Sequence, residues 1–144
     1  MFKNILLATD GSDASAHAAE LAINLARTHG AKLTALYVVD PYPYLSIGET
    51  NPLGVQAYMA AAQKHAAQAH AKVAALCAAP GVKLEARMAE NVSAASGIVQ
   101  TVKDEGADLV VMGSHGRTGI ARLVLGSVAS KVAAESPVPV LIAR

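Results

Sequence analysis

The chain has 144 residues, the length of one domain, and a domain of this size buries roughly 68–70% of its unfolded surface without needing a metal or disulfide staple. Apolar residues are 53% and charged residues 16%, too apolar for a disordered chain, while no apolar run approaches the roughly 18 residues of a membrane-spanning helix. Twelve basic against eleven acidic residues leave a formal charge of +1, and aromatic residues are one Phe, four Tyr and no Trp, which disfavours nucleic acid, an anionic membrane or a base-stacking RNA platform as partner.

Met1 to Asn4 lead straight into Ile5-Leu6-Leu7, without the longer apolar region and small-residue cleavage site of a secretory signal. Cys77 is the single cysteine, so no intrachain disulfide can form. Both features point to a cytoplasmic location. Lys3 to Ala8 reads as a buried strand that breaks at Asp10-Gly11-Ser12-Asp13. Ala14 to His29 follows as a helix, with Ala18, Leu21, Ala22, Leu25 and Ala26 at helical spacing, Asp13 as a candidate cap and Gly30 as its stop. Lys32 to Val39 is a second strand.

From Asp40 to Gly54, Pro41, Pro43, Pro52, Gly48 and Gly54 predict a loop without a regular element. Val55 to Ala79 then reads as a long Ala-rich helix stopped by Pro80-Gly81, with Cys77 as a buried, inert thiol inside it. Val82 to Met88 alternates, with Val82, Leu84, Ala86 and Met88 on one face, which predicts an edge strand with one wet side. Asn91-Val92-Ser93 offers caps for a helix ending at Glu105-Gly106. Asp108 to Met112 is almost wholly apolar and reads as a central strand. A helix from Gly126 to Glu135 ends at Ser136-Pro137. Val138 to Ala143 is a last strand, which Pro139 confines to an edge. Five strands alternating with four helices predict an α/β domain, a mostly parallel sheet covered on both faces.

In such sheets ligands bind beyond the carboxyl ends of the strands, where the strand order reverses. Two ends stand out here, Thr9-Asp10-Gly11-Ser12-Asp13 and Gly113-Ser114-His115-Gly116-Arg117-Thr118-Gly119. The glycines of the second let the backbone turn sharply and approach a ligand. Gly126-Ser127 opens a helix, whose N-terminus presents unpaired N–H groups to an anion. Ser114, Ser127, Arg117 and Arg122 can add hydrogen bonds or charge, so the parts of a phosphate cradle are present. Neither G-x-G-x-x-G nor G-x-x-x-x-G-K-[ST] occurs, which disfavours a standard dinucleotide enzyme or a P-loop NTPase. Asp10 reads either as a ligand contact or as a turn and cap residue. His115 has no assignable acid or nucleophile to make it a general base. His17, His29, His65 and His70 lack the H-x-x-x-H spacing of a metal site.

Gly113, Gly116, Gly126 and Ser127 match G-x2-G-x9-G-[ST]. With Lys3-Asn4-Ile5-Leu6-Leu7-Ala8-Thr9-Asp10-Gly11-Ser12 at the start and Ser136-Pro137-Val138-Pro139-Val140-Leu141-Ile142 at the end, the chain resembles the universal stress proteins along its whole length, as one domain over 1–144. The resemblance implies an adenine-nucleotide α-hydrolase-like fold, a five-stranded parallel sheet in the order 3-2-1-4-5. It implies bound ATP, with Asp10 by the nucleoside and backbone groups of Val38 at the adenine edge. Gly113, Gly116, Gly126 and Ser127 would surround ribose and phosphates, and Val128 would add a backbone N–H. Ala8, Thr9, Met112 and Arg117 complete the expected contact set, and magnesium would be held through the phosphates. The last strand, 138–143, has an apolar edge with little to blunt it, so an antiparallel homodimer is expected across it. The resulting expectation is a cytoplasmic ATP-binding stress-response dimer that passes its nucleotide state to protein partners. The alternatives are a slow ATPase or phosphotransferase using Ser127, Ser114 or His115, and a protein-interaction module that needs no nucleotide.

Overall fold

A computed structural model of the chain describes residues 1–39, 52–78, 81–90, 93–115 and 125–144. The elements are β1 (Asn4–Ala8), α1 (Asp13–His29), β2 (Lys32–Val39), α2 (Pro52–Leu76), β3 (Lys83–Glu90), α3 (Ala94–Glu105), β4 (Leu109–Gly113), α4 (Ser127–Glu135) and β5 (Val140–Ala143). All pairings are parallel, in the order β3-β2-β1-β4-β5. This is the expected order, and it reverses between β1 and β4.

Strand alternation sends successive side chains to opposite faces of the sheet. Ile5, Leu7, Leu33, Ala35, Leu109 and Val111 therefore meet the small face of α1, Ala18, Ala22 and Ala26, on one side. Leu6, Leu36, Val110 and Met112 meet Ala95, Ile98 and Val102 of α3 and Ala129 and Val132 of α4 on the other. Helix α2 lies on the α1 side, where Ala62, Ala66 and Ala69 cover Tyr37 and Val39. Central β1 and β4 read as apolar runs because both of their faces are covered.

Several boundaries differ from the sequence reading. Pro52 and Gly54, read as loop, lie in α2, which begins at Pro52. Proline is well tolerated at a first helical position, where its missing N–H would be unpaired in any case. The remainder of the predicted loop, 40–51, lies outside the described residues, as does Pro80. Helix α2 ends at Leu76, so Cys77 sits just past it, half-buried rather than buried. Burial raises the Cys77 thiol pKa and the nearby Arg27 charge lowers it by less, which keeps the thiol protonated.

The cap of α1 is Ser12, not Asp13: its hydroxyl accepts the Ser15 N–H at 3.3 Å. Ser93 caps α3 as expected, accepting the Ser96 N–H at 3.1 Å. The face expected to be dry on β3 is not uniform, since Ala86 and Met88 are exposed, Met88 at 41%. The strand is at the sheet edge, as predicted. Strand β5 is shorter than 138–143, with Pro139 before it; the Pro139 carbonyl accepts the Val110 N–H at 3.0 Å and so aligns the strand.

The amino-terminal half of the sheet is tied by charge. Lys32 and Arg87 both reach Glu85 and Glu105, at 2.9–3.8 Å, joining β2 and β3 to the end of α3. The hydrogen bond from Lys32 lowers the Glu85 pKa, and that of Arg87 is raised chiefly by its hydrogen bond to Glu105. These charges lie away from the carboxyl ends of β1 and β4.

Candidate functional site

Beyond β1 the chain makes a tight turn before α1, and each part of it has a partner. The Thr9 N–H donates to the Leu36 carbonyl at 3.0 Å, which fixes the start of the turn on β2. The Thr9 hydroxyl accepts the Gly11 N–H at 3.2 Å and lies 3.2 Å from the Ser15 hydroxyl. Asp10 Oδ1 accepts the Ser12 N–H at 2.9 Å, an Asx turn that leaves Oδ2 for another donor. Asp10 is thus a turn residue in this structure, and one still half-exposed at the carboxyl end of the sheet.

Gly11 has φ +77°, a left-handed conformation that side chains disfavour. A Cβ built on it would also lie 3.1 Å from the Ala69 Cβ of α2. The glycine therefore serves both the turn and the close approach of a helix. Lys72, one turn along α2, donates to the Gly11 carbonyl at 2.6 Å.

Beyond β4 the geometry is equally constrained. The Ser114 N–H donates to the Ala143 carbonyl of β5 at 2.9 Å, and the Ser114 carbonyl accepts the Gly126 N–H at 2.9 Å. A Cβ on Gly126 would lie 2.5 Å from that carbonyl oxygen. Only glycine allows the start of α4 to close on the end of β4. Gly126 is the N-cap of α4 and has no side-chain capping bond, so the first N–H groups of the helix, from Ser127 on, keep their donor capacity. Ser127 and Val128 are both exposed, Val128 at 37%. The Ser114 hydroxyl lies 3.0 Å from His115 Nδ1. Among the described residues, no carboxylate hydrogen-bonds to His115 and no three His, Cys, Asp or Glu side chains gather as a metal site.

The structure thus brings Ala8, Thr9, Asp10, Met112, Gly113, Gly126, Ser127 and Val128 to the ends of two neighbouring central strands and the helix behind them. Met112 itself is buried under α3 and α4, at 5% exposure, so its side chain is floor rather than lining. Val38 is one strand over. Leu36 turns its carbonyl toward β1, and Val38, two residues on, turns its backbone toward the space past Thr9. Gly116 and Arg117 lie outside the described residues, with Thr118, Gly119 and Arg122.

Three side chains of this region were not read as part of a site: Gln68 and Lys72 carry no sequence signal of their own, and His65 is read only as lacking metal-site spacing. They come from α2 and line a cleft of about 280 Å³ against Asp10, Gly11 and Ser12. The one signal for them is their spacing, three and four residues apart, which places polar groups on a single face of an otherwise Ala-rich helix.

These features define an open, doubly wound α/β domain, with a glycine-dependent turn and an uncapped helix N-terminus at the point where its strand order reverses. The family model of the universal stress proteins matches residues 1–144. The chain belongs to that family. It is 38% identical over 144 residues to a universal stress protein of Thermus aquaticus, covering the whole of both chains. Its structure is similar to that of the universal stress protein UspA from Lactobacillus plantarum, with a TM-score of 0.78, 30% identity and coverage of 99% of this chain and 97% of that one. It is also similar to a universal stress protein solved in complex with cAMP, with a TM-score of 0.68, 27% identity and the same two coverages of 99% and 97%. Among the described residues no helix is long and apolar enough to cross a membrane.

Proposed function

We propose that this chain binds an adenine nucleotide at the ends of β1 and β4, with ATP and its magnesium as the preferred form, and acts as a cytoplasmic homodimer in signalling or stress tolerance. The observation that carries this reading is the junction of Gly126 with Ser114. It leaves the uncapped start of α4 facing the carboxyl end of the sheet, and a Cβ there would collide with backbone. Such a helix terminus suits phosphate oxygens. Asp10 Oδ2 would take a ribose hydroxyl, the backbone past Val38 the adenine edge, and Gly113, Gly126, Ser127 and Val128 the phosphates, with Gly116 and Arg117 of the segment between them. Ala8, Thr9 and Met112 would form the floor. The magnesium would be held through the phosphates, since no three His, Cys, Asp or Glu side chains gather there among the described residues. The adenine nucleotide of the cAMP-bound relative supports the ligand class.

Calorimetric titration of nucleotide-stripped protein with ATP and magnesium tests this reading. Micromolar binding is expected, and its loss in Gly113→Val with the circular dichroism unchanged. A Cβ at Gly113 would already touch the Ala14 carbonyl oxygen at 3.4 Å, so the two further carbons of valine must intrude on the ligand space or on the turn into α1. A wild-type protein that binds neither ATP nor cAMP would refute the proposal.

The dimer would form across β5, an edge strand whose Leu141 is 38% exposed between half-buried Val140 and Ile142. An unblunted apolar edge is a template for pairing. Sedimentation at micromolar concentration is expected to give a dimer for the native chain and a monomer for Leu141→Lys. A native monomer would overturn this part of the reading and leave the nucleotide site untouched.

A further inference from the structure

The cleft between the β1–α1 turn and α2 is separate from the glycine junction at β4 and shares only the Asp10 turn with the proposed nucleotide site. Its walls come from two sources. Asp10, Gly11 and Ser12 form one; His65, Gln68, Ala69 and Lys72 form the other. Helix α2 packs its alanine stripe, Ala62, Ala66 and Ala69, on the sheet, and small side chains there let it approach until Ala69 touches Gly11. The neighbouring stripe at 65, 68 and 72 then overhangs the turn.

The chemistry of the lining is asymmetric. Lys72 is one fixed positive charge with three donors, and one of the three is spent on the Gly11 carbonyl at 2.6 Å. That bond holds an otherwise mobile side chain in place, which lowers the entropy lost when a ligand is bound. The Gln68 amide and the His65 imidazole add donor capacity on the same helix face. Opposite them, Asp10 has one oxygen committed to the Ser12 N–H and the other open to a donor. A ligand that satisfies both walls carries anionic oxygens at one end and a hydroxyl at the other. The volume, about 280 Å³, lies at the lower limit of the roughly 300–1,000 Å³ of drug-sized pockets, so that ligand is small.

We propose that the cleft lined by Asp10, Ser12, His65, Gln68 and Lys72 is a second binding site, for a small phosphorylated polyol of the sugar-phosphate type. The phosphate sits against Lys72, with Gln68 and His65 beside it, and a hydroxyl of the polyol donates to Asp10. Because Asp10 also faces the proposed nucleoside position, the two ligands compete for one carboxylate.

The test is a titration of the nucleotide-free native chain with ribose 5-phosphate, followed by amide proton–nitrogen correlation spectra. Saturable shifts are expected at Gly11, Ser12, Gln68 and Ala69, with the same residues moved more weakly by inorganic phosphate and not by ribose. Lys72→Gln keeps a polar, hydrogen-bonding side chain, one atom shorter, and removes the charge, and it is expected to weaken binding about tenfold or more, as loss of a charge-assisted hydrogen bond does. Gln68→Ala, which leaves the lysine brace intact, is expected to weaken it less. No saturable shift at these amides, or shifts confined to residues 126–129 at the start of α4, would overturn the proposal. The same spectra recorded with ATP keep the two readings apart. Failure of ATP to move residues 113 and 126–128 refutes the nucleotide site alone, and failure of ribose 5-phosphate to move the α2 face refutes this one alone.

Discussion

Gly126→Ala is expected to cost about 1–3 kcal/mol of stability, the range for overpacking a close-packed junction, and to remove most of the ATP affinity. The added methyl carbon would stand 2.5 Å from the Ser114 carbonyl oxygen. Ser114 has little freedom to retreat. Its N–H is bonded to Ala143 on β5, and its carbonyl to the Gly126 N–H, both at 2.9 Å. The start of α4 must move instead, and that displaces the N–H groups of Ser127 and Val128 on which the proposed phosphate binding rests. The backbone at Gly126, φ −58° and ψ 155°, is open to any residue, so the effect is steric and not conformational. Urea denaturation with an unchanged slope measures the first effect, and calorimetry the second. Gly113→Ala is the internal comparison: its Cβ would meet the Ala14 carbonyl at 3.4 Å, an ordinary contact, and a stability close to native is expected. Native affinity in Gly126→Ala would show that phosphate is not held at α4.

Leu7→Ala is expected to have the largest effect on stability, about 2–5 kcal/mol. Leu7 is fully buried on β1, aligned with Ala35 of β2 on one side and Val111 of β4 on the other, beneath α1. Its neighbours are held by two ladders and cannot collapse into the space that the truncation leaves. The denaturation midpoint reads the loss directly. A change below about 1 kcal/mol would mean that α1 settles onto the sheet, and that the site end of β1 is less rigid than its burial implies. Leu84, half-buried on edge strand β3, is the contrasting position, where the same truncation is expected to cost clearly less.

The alternation of elements was legible because the punctuation is local. Ser93, Gly30 and Gly106 mark helix ends by their own chemistry, and Gly30 and Gly106 do adopt left-handed angles, φ 64° and 65°. The strand order was not legible from periodicity, which carries no information about neighbours; it came with the family motif. The errors have a common cause in competition between neighbouring signals. Pro52 looked like a breaker because its position relative to the helix start was unknown, and Asp13 looked like a cap because Ser12 beside it is an equally good one. Val138 reads as part of the last strand, although Pro139 delays pairing until Val140.

Of the candidate site, the sequence pointed to Asp10, Gly113 and Gly126, which the structure brings to the ends of β1 and β4, and missed the α2 face. Lys72 is 61 residues from its acceptor Gly11, and nothing near it in the chain marks that contact. It follows from two separate facts, a left-handed glycine at one place and an alanine stripe at another, that meet only in the folded chain. Val38 shows the reverse case. Its proposed role belongs to the backbone, so its residue type carries no signal, and the family pattern alone directed attention to it.

The alanine stripe of α2 also sets the order in which the molecule opens. Among the described residues this 25-residue helix buries Ala62, Ala66, Ala69 and Val73, whereas the five-residue β1 buries Ile5, Leu6 and Leu7 completely. Free energy of local opening follows buried apolar area, so α2 is expected to open more readily than β1, whose amide hydrogens are expected to exchange only on global unfolding. Each opening of α2 withdraws Ala69 and Lys72 from Gly11 and frees the turn that carries Asp10. A ligand bridging the turn and the helix would act as a staple on a part of the fold that opens more readily than β1, and its presence would be written in the exchange rates of α2 before any change in the melting of the sheet.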